Sequence, residues 1–303
     1  MRTAAVRADA MLLLVAALWG AGFVAQKAAM DSMGPFAFNA TRYAVGGVLL
    51  AVPVFLRRRS NPLSAATLLA GVALGLVMFA AAGLQQVGIV TATASRTAFL
   101  TGLYVLIVPA IGVFFRQRIT AGHIAGGVLA VIGLGMLSGN GSADLLSGLT
   151  RGDWLVLACA VLWALHVVLI GRFALKADPF VLAWSQFVTV AVLSAGVSLG
   201  TESTTLGGLA SGWLPLVYSG VFVIALAFTL QIFAQKDAPP THAAVLMSLE
   251  AVFGAVFGVL LLGDALSAWE TAGCATMFAG MLVSQLHRGR RTDPERAAAI
   301  EPV

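Results

Sequence analysis

Apolar residues run through this chain in long blocks parted by short polar stretches, and a helix needs about 20 such residues to cross the hydrocarbon core of a bilayer. Ten blocks reach that length: residues 9–30, 35–56, 64–86, 91–115, 120–139, 153–172, 179–199, 213–235, 241–262 and 267–287. Each is rich in Leu, Val, Ala and Gly. None alternates with the period of two that a membrane barrel strand shows, so the helix is the structure able to satisfy the backbone in lipid. The pattern predicts an all-α integral membrane protein with ten transmembrane helices and no separate soluble domain. The first block is too long for a cleavable signal peptide and has an internal counterpart in the sixth, so it is expected to remain as a helix.

That counterpart extends into a repeat. Asp9 to Trp19 reads DAMLLLVAALW and Asp153 to Trp163 reads DWLVLACAVLW; both stretches run on to a Pro-Phe pair, Pro35-Phe36 and Pro179-Phe180, at a constant offset of 144 residues. Further along, Thr120, Gly126 and Gly133 match Ser267, Gly273 and Gly280 at an offset of 147. Two apolar helices share Leu and Ala by chance easily, but not Asp, Trp, Pro and Gly in register at both ends of a unit. Five helices per unit is an odd number, so the second unit enters the membrane from the opposite side. The expected architecture is two inverted five-helix repeats (5+5): residues 1–139, an outer linker over 140–152, a second repeat over 153–287, and a basic cytoplasmic tail over 288–303.

Composition agrees with this picture. Hydrophobic residues make up 59% of the 303 and charged residues 10%, with a mean hydropathy of +0.94, far from the globular average. The net charge of +5 sits in short clusters between apolar runs and not along one face, which predicts the lipid headgroup layer as its partner and no nucleic acid. With the N-terminus inside, Arg2, Arg7, Arg57 to Arg59, Arg116, Arg118, Arg172, Lys176, Lys236, Arg288, Arg290, Arg291 and Arg296 collect on the cytoplasmic side. Lys27 and Arg151 fall outside, and Arg42 and Arg96 lie within helices. This bias predicts a multi-pass protein of the cell inner (cytoplasmic) membrane with both termini cytoplasmic. Cys159 and Cys274 lie inside apolar segments and read as packing residues.

Ionisable groups in hydrocarbon cost several kcal/mol unless they face a wet cavity or a partner, so they are the first functional candidates. Glu250 lies near the middle of its segment and is the deepest carboxylate. It is read either as a cavity-facing group that binds an amine or takes up a proton, or as the fixed partner of Arg96, and Arg96 is read either as that partner or as a candidate for substrate binding. Arg42 is read as a snorkelling residue or a brace for Asp31 and Asn39. Trp19 and Trp163 sit ten residues from their helix starts, too deep for the interfacial aromatic belt. Trp19, Phe23 and Gln26 share a helical face that lines a cavity or packs around Gly20 and Gly22. Gln85, Tyr104, Trp163 and Gln231 are further candidates for binding, and the lone His166 reads as a hydrogen-bonded core residue. Glycines 122, 126, 127, 133 and 135 in the fifth helix, with Gly273 and Gly280 in the tenth, read as close-packing seams.

Three stretches carry a family resemblance: Leu18-Trp19-Gly20 with Phe23-Val24, TASRTAFLTGLYVLIVP from Thr93 to Pro109, and SLEAVFGAVFGVLLLGDALS from Ser248 to Ser267. They resemble the EamA family of the drug/metabolite transporter superfamily, and the likeness runs from about Met11 to Leu286. The resemblance implies ten helices, no ATPase, and transport of small metabolites, often as export. Where such families commonly carry a Glu near the end of the ninth helix this chain has Asp264, and the matching first-half position holds Gln117.

The expected function is therefore secondary transport, most naturally export, of a small metabolite such as an amino acid or amphipathic amine through a midplane cavity by alternating access, with Pro109, Pro215, Pro239 and Pro240 as places to bend. The aromatic amino acid exporters of this superfamily are a comparison. No phosphate-binding Gly-rich loop is present, which leaves uniport or proton exchange with Glu250 as the carrier. No cofactor, metal site or catalytic residue is expected, and the chain reads as a monomer or weak homodimer. An integral membrane enzyme would need a nucleophile with its base or metal ligands at helical spacing, and neither His-Glu-x-x-His nor Gly-x-Ser-x-Gly occurs. A channel would need a filter or rings of like charge. Epitope tags at residues 1 and 303 are expected to be read from the same membrane face in spheroplasts; tags on opposite faces contradict the inverted repeat.

Overall fold

A computed structural model describes residues 2–57, 63–92, 94–114, 119–138, 150–203, 205–257, 260 and 267–286. All regular structure among them is helical: α1 (Arg2–Ala29), α2 (Pro35–Arg57), α3 (Ala65–Thr91), α4 (Ala94–Gly102), α5 (Tyr104–Phe114), α6 (Ala121–Ser138), α7 (Arg151–Phe173), α8 (Pro179–Thr201), α9 (Leu206–Ser211), α10 (Trp213–Gln235), α11 (Pro240–Met247), α12 (Glu250–Phe257) and α13 (Ala268–Leu286). Seven spans among the described residues are long and apolar enough to cross a membrane: Ala4–Ala29, Pro35–Arg57, Ala65–Thr91, Thr97–Phe114, Arg151–Phe173, Pro179–Thr201 and Trp213–Gln235. Asp264, Gln117, Arg58, Arg59 and the basic tail lie outside the described residues.

Helix ends are closed in ways the sequence encodes. Thr150 and Asp153 form a reciprocal capping box at the start of α7, with Asp153 Oδ2 accepting the Thr150 N–H at 2.7 Å. Asp178 Oδ1 accepts the N–H groups of Phe180 and Val181 at the start of α8, where Pro179 needs no amide partner. The first turn of α2 is capped from a distance instead: Glu202, just past α8, accepts the Phe36 and Ala37 N–H groups, both at 2.8 Å. A carboxylate there meets the positive end of the helix dipole. Lys27 Nζ donates to the carbonyls of Ile89, Val90 and Ala92 at 2.9 to 3.0 Å, closing the C-terminal end of α3.

Regular α-helices are expected over 91–115, 213–235 and 241–262; the structure interrupts the first and the last and changes the winding of the second. The first breaks at Leu103 between α4 and α5, and the last breaks at Ser248 and Leu249 between α11 and α12. α10 adopts the wider π winding from Ser219 to Phe228. The prolines named above are not at these points: Pro109 lies inside α5, Pro215 in the first turn of α10, and Pro239 and Pro240 at the start of α11. At the second break the Ser248 hydroxyl donates back to the Val245 carbonyl at 2.8 Å, and Ala251 N–H bonds three residues back to Ser248 at 3.3 Å. Such side-chain and i to i+3 bonds loosen the regular ladder without a proline.

The halves interlock. α6 lies along α13 and α2 across α8; α3 packs on α7 and α8 while α10 packs on α1 and α2; α4 and α5 pack on α7 while α12 packs on α1. At the α6–α13 seam a Cβ on Gly280 would lie 2.7 Å from the Gly126 carbonyl, and one on Gly133 would lie 2.7 Å from the Met277 amide. Only glycine permits that approach. Gly133→Leu is expected to cost about 1–3 kcal/mol by overpacking and to lower the melting temperature of the detergent-solubilised protein by several degrees; unchanged melting contradicts the seam.

Candidate functional site

Trp19, one of the repeated tryptophans, lines a cavity together with its mate Trp163. Between them stands Phe228, the last residue of the π-wound stretch, with ring centroids 4.8 Å from Trp19 and 5.6 Å from Trp163. One extra residue per turn is a device that re-aims the side chains following it, and here it presents Phe228 between two helices from different halves. A cavity of about 510 Å³, its mouth included, opens beside these rings.

Eight of the nine residues named as candidates line it: Trp19, Phe23 and Gln26 from α1, Gln85 from α3, Tyr104 from α5, Trp163 from α7, Gln231 from α10 and Glu250 from α12. The ninth, Arg96, has its side chain outside the described residues, and so has the expected Arg96–Glu250 pairing. The two interrupted segments and the π-wound helix all reach the cavity. Thr101 and Tyr104 flank the first break, Glu250 follows the second, and Val223 and Phe228 belong to the π-wound stretch.

Glu250 is 2% exposed. It is brought to the cavity by a close contact between α1 and α12, where a Cβ on Gly20 would lie 2.6 Å from the Glu250 carbonyl and 2.7 Å from the Gly254 amide. The Trp19-Gly20 pair thus works as a unit, one residue lining the cavity and the next admitting the carboxylate's helix.

Arg42, also 2% exposed, departs from the snorkelling reading: it lines the same cavity. Its Nε donates to Asn39 Oδ1 at 3.0 Å, as a brace would, while Asn39 Nδ2 is held by the Ala82 carbonyl at 3.1 Å. The guanidinium carbon lies 4.8 Å from the Phe38 ring centre and 5.2 Å from that of Tyr43. No ion pair to Arg42 occurs among the described residues. The cavity lining therefore includes a guanidinium and a carboxyl group on different helices, together with several aromatic rings.

Several polar atoms of lining residues are buried with no hydrogen-bond partner among the described residues: Trp19 Nε1, Gln26 Oε1, Tyr104 Oη, Trp163 Nε1, Gln231 Oε1 and Glu250 Oε1. Each unmet group costs about 1–3 kcal/mol. They are two indole donors, a phenol, two amide acceptors and a carboxyl oxygen on residues that line one cavity, a composition that suits a polar-headed, apolar-bodied molecule. Gln85 is steadied by donating to Thr101 Oγ1 at 3.0 Å and Gln231 by donating to Gln235 Oε1 at 3.0 Å. His166 is the core residue its isolation predicts, bonded through Nε2 to Gln186 Oε1 at 2.9 Å.

Tyr43, Thr101, Val167, Val223 and Phe228 complete the lining and are not among the sequence candidates. The repeat register contains the signal for one of them, since Val167 is the mate of Phe23 at 144 residues. Nothing in the sequence marks Phe228, whose position depends on the π winding.

The model of the EamA-like transporter family matches the chain twice, over residues 6–139 and 150–285. Two proteins of Archaeoglobus fulgidus, each described as an uncharacterized transporter, are similar along most of its length. One is 30% identical over 280 residues, covering 92% of this chain and 86% of the relative; the other is 24% identical over 277 residues, covering 90% and 96%. A crystal structure of a protein at 21% identity superposes with a TM-score of 0.77 over 92% of this chain and 96% of the other, which speaks for the fold alone.

Phe228→Ala is expected to cost about 3–5 kcal/mol in core packing and, because both central indoles lose their neighbour, to shift tryptophan emission to the red. Emission identical to that of the parent protein contradicts the central placement of this ring.

Proposed function

The chain belongs to the EamA-like transporter family and is a multi-pass membrane transporter, not an enzyme, and on that premise we propose that it is a secondary carrier which exports small amphipathic metabolites, amino acids foremost, by alternating access through the central cavity. The observation that carries the substrate class is the pairing of Arg42 with Glu250 in one aromatic-walled space. A guanidinium offers a forked donor pair to a carboxylate, and a carboxyl group offers an acceptor to an ammonium. An α-amino acid with an apolar or aromatic side chain presents both charges and a body that packs beside the rings of Trp19, Phe228 and Trp163. A sugar phosphate calls for several cations in the same space, and Arg42 is the lone one among the lining residues.

Two inverted five-helix repeats, over 1–139 and 153–287 with a linker at 140–152 and a tail at 288–303, are the proposed frame. The exchange of partners between halves supports it: Gly133 packs at Gly273 as Gly280 packs at Gly126, a self-complementary contact of the kind a two-fold axis produces. In this frame both termini face the cytoplasm of a cell whose inner membrane holds the protein. The start of α1 is fastened on that side by Asp9 Oδ1 to His242 Nε2 at 2.9 Å and by Arg7 to Asp237 at 3.6 Å. Discontinuous helices meeting at a midplane site are a recurrent feature of secondary transporters. Export is driven by proton exchange at Glu250, the carboxyl group that opens α12 beside the cavity.

A thermal-shift screen of the purified protein with an aromatic amino acid, its decarboxylated amine and its N-acetyl derivative tests the substrate class. The intact amino acid is expected to stabilise most, and Arg42→Gln to erase its advantage over the amine, a loss of about tenfold or more in affinity; equal response to all three contradicts the class. In everted vesicles, uptake of the stabilising compound is expected to follow an imposed pH gradient and Glu250→Gln to remove that dependence. A variant that still follows the gradient excludes Glu250 as the proton carrier.

A further inference from the structure

The two halves contribute unequally to the cavity, and the inequality falls on repeat mates. Trp19 and Trp163 both line it, as do Phe23 and Val167 at the same offset of 144 residues. Gln85 and Gln231, each preceded by a leucine and separated by 146 residues, line it as well. Gln26, Arg42 and Tyr43 line it in the first half, whereas their mates Ile170, Gln186 and Phe187 do not, although all six residues are buried. The register there is secure, since Pro35-Phe36, Thr41 and Tyr43 answer Pro179-Phe180, Ser185 and Phe187. α2 and α8, which carry these residues, cross each other, and the Tyr43 and Phe187 rings touch at 6.1 Å between centroids.

Gln186 is an odd residue to bury so completely. Its Oε1 meets His166 Nε2, but its Nε2 and the other ring nitrogen of His166, Nδ1, have no hydrogen-bond partner among the described residues. Two unmet polar atoms side by side behind the wall of a cavity call for an explanation. His166 in turn stands edge-on to Trp163 and Phe228, with centroids 5.5 and 6.2 Å away, so the pair sits directly behind the rings that line the site.

We propose that Gln186, with Ile170 and Phe187, is the latent half of the binding site: when the cavity opens to the other membrane face these three line it, and Gln26, Arg42 and Tyr43 withdraw to the places their mates now hold. The proposal rests on the alternating-access reading above. In an inverted repeat the opposite state arises when each half takes up the conformation of the other. Applied to this chain, the exchange carries Gln186 into the position of Arg42. The unmet amide and imidazole atoms then face the opened space, and His166 acts as the positioning residue that stores Gln186 until the exchange. Because the mate of a guanidinium is here a neutral amide, a carboxylate meets a cation in one state and only an amide in the other. The chain thereby has one tighter and one weaker orientation of the same site, while the direction of net flux remains set by the substrate and proton gradients.

The test uses single cysteines at Tyr43, Ile170 or Phe187 in full-length protein carrying Cys159→Ala and Cys274→Ala, in membrane vesicles of both orientations, with a membrane-impermeant maleimide as probe. Tyr43→Cys is expected to react from one face and Phe187→Cys from the opposite face, each at least tenfold faster than from its other side. Ile170→Cys, a milder change, is expected to follow Phe187→Cys and decides the matter if the loss of the aromatic ring prevents folding. Reaction of positions 170 and 187 from the same face as 43, or no reaction at all, overturns the exchange while leaving the carrier reading intact. Equal reaction of all positions from both faces indicates a continuous pore and removes the carrier reading as well.

Discussion

Within hydrocarbon a peptide N–H or C=O without a partner costs several kcal/mol, so a chain facing lipid stays helical. This protein follows that rule along its described crossings and departs from it at Leu103, at Ser248 with Leu249, and through the π winding that ends at Phe228. Irregular backbone at membrane depth is tolerated only where protein or a polar cavity shields it. The three departures meet that condition together, because residues beside each of them line one cavity. The site is thus located by the same constraint that makes the rest of the chain helical: among the described residues, irregular backbone and several unpartnered polar side chains gather beside one cavity.

Duplication supplied the frame, and the chemistry lies in how the copies have diverged. Asp9 and Asp153 open matching stretches, yet Asp153 caps its own helix while Asp9 bonds His242 on α11. The first turn of α2 is capped by Glu202 across the crossing with α8, whereas α8 is capped by its own Asp178 and receives Arg57 over the Phe180 ring at 5.2 Å. The crossing is therefore fastened at one end by a carboxylate on a helix dipole and at the other by a cation over a ring. Arg42 and Gln186 are the divergence with the largest chemical consequence, a charge in one repeat and a neutral amide at the matching position of the other.

How much of this was legible in the sequence depended on periodicity. Helical segments, the α6–α13 glycine seam and the central tryptophans all leave marks at fixed spacing, and the structure puts the glycines and tryptophans where the repeat puts them. The face shared by Trp19, Phe23 and Gln26 follows from helical geometry alone and does line the cavity. Arg42 was harder, since an arginine that snorkels and one that faces a buried cavity have the same one-dimensional context; the difference lies in Phe38, Asn39 and Tyr43 gathered round it. Phe228 and the helix breaks were illegible for a different reason. A π turn needs no special residue, and the break after Met247 depends on a serine hydroxyl bonding its own helix, which a composition-based ruler does not register.

The central claim is that one cavity, shared by both halves, is exposed to each face in turn. Counterflow in reconstituted vesicles measures this most directly: with any compound that stabilises the protein, uptake of labelled compound is recorded with and without unlabelled compound preloaded inside. A carrier whose loaded site returns faster than its empty one gives a transient overshoot that depends on the preload and saturates with concentration. Uptake that is indifferent to preload and rises linearly with concentration would contradict the account.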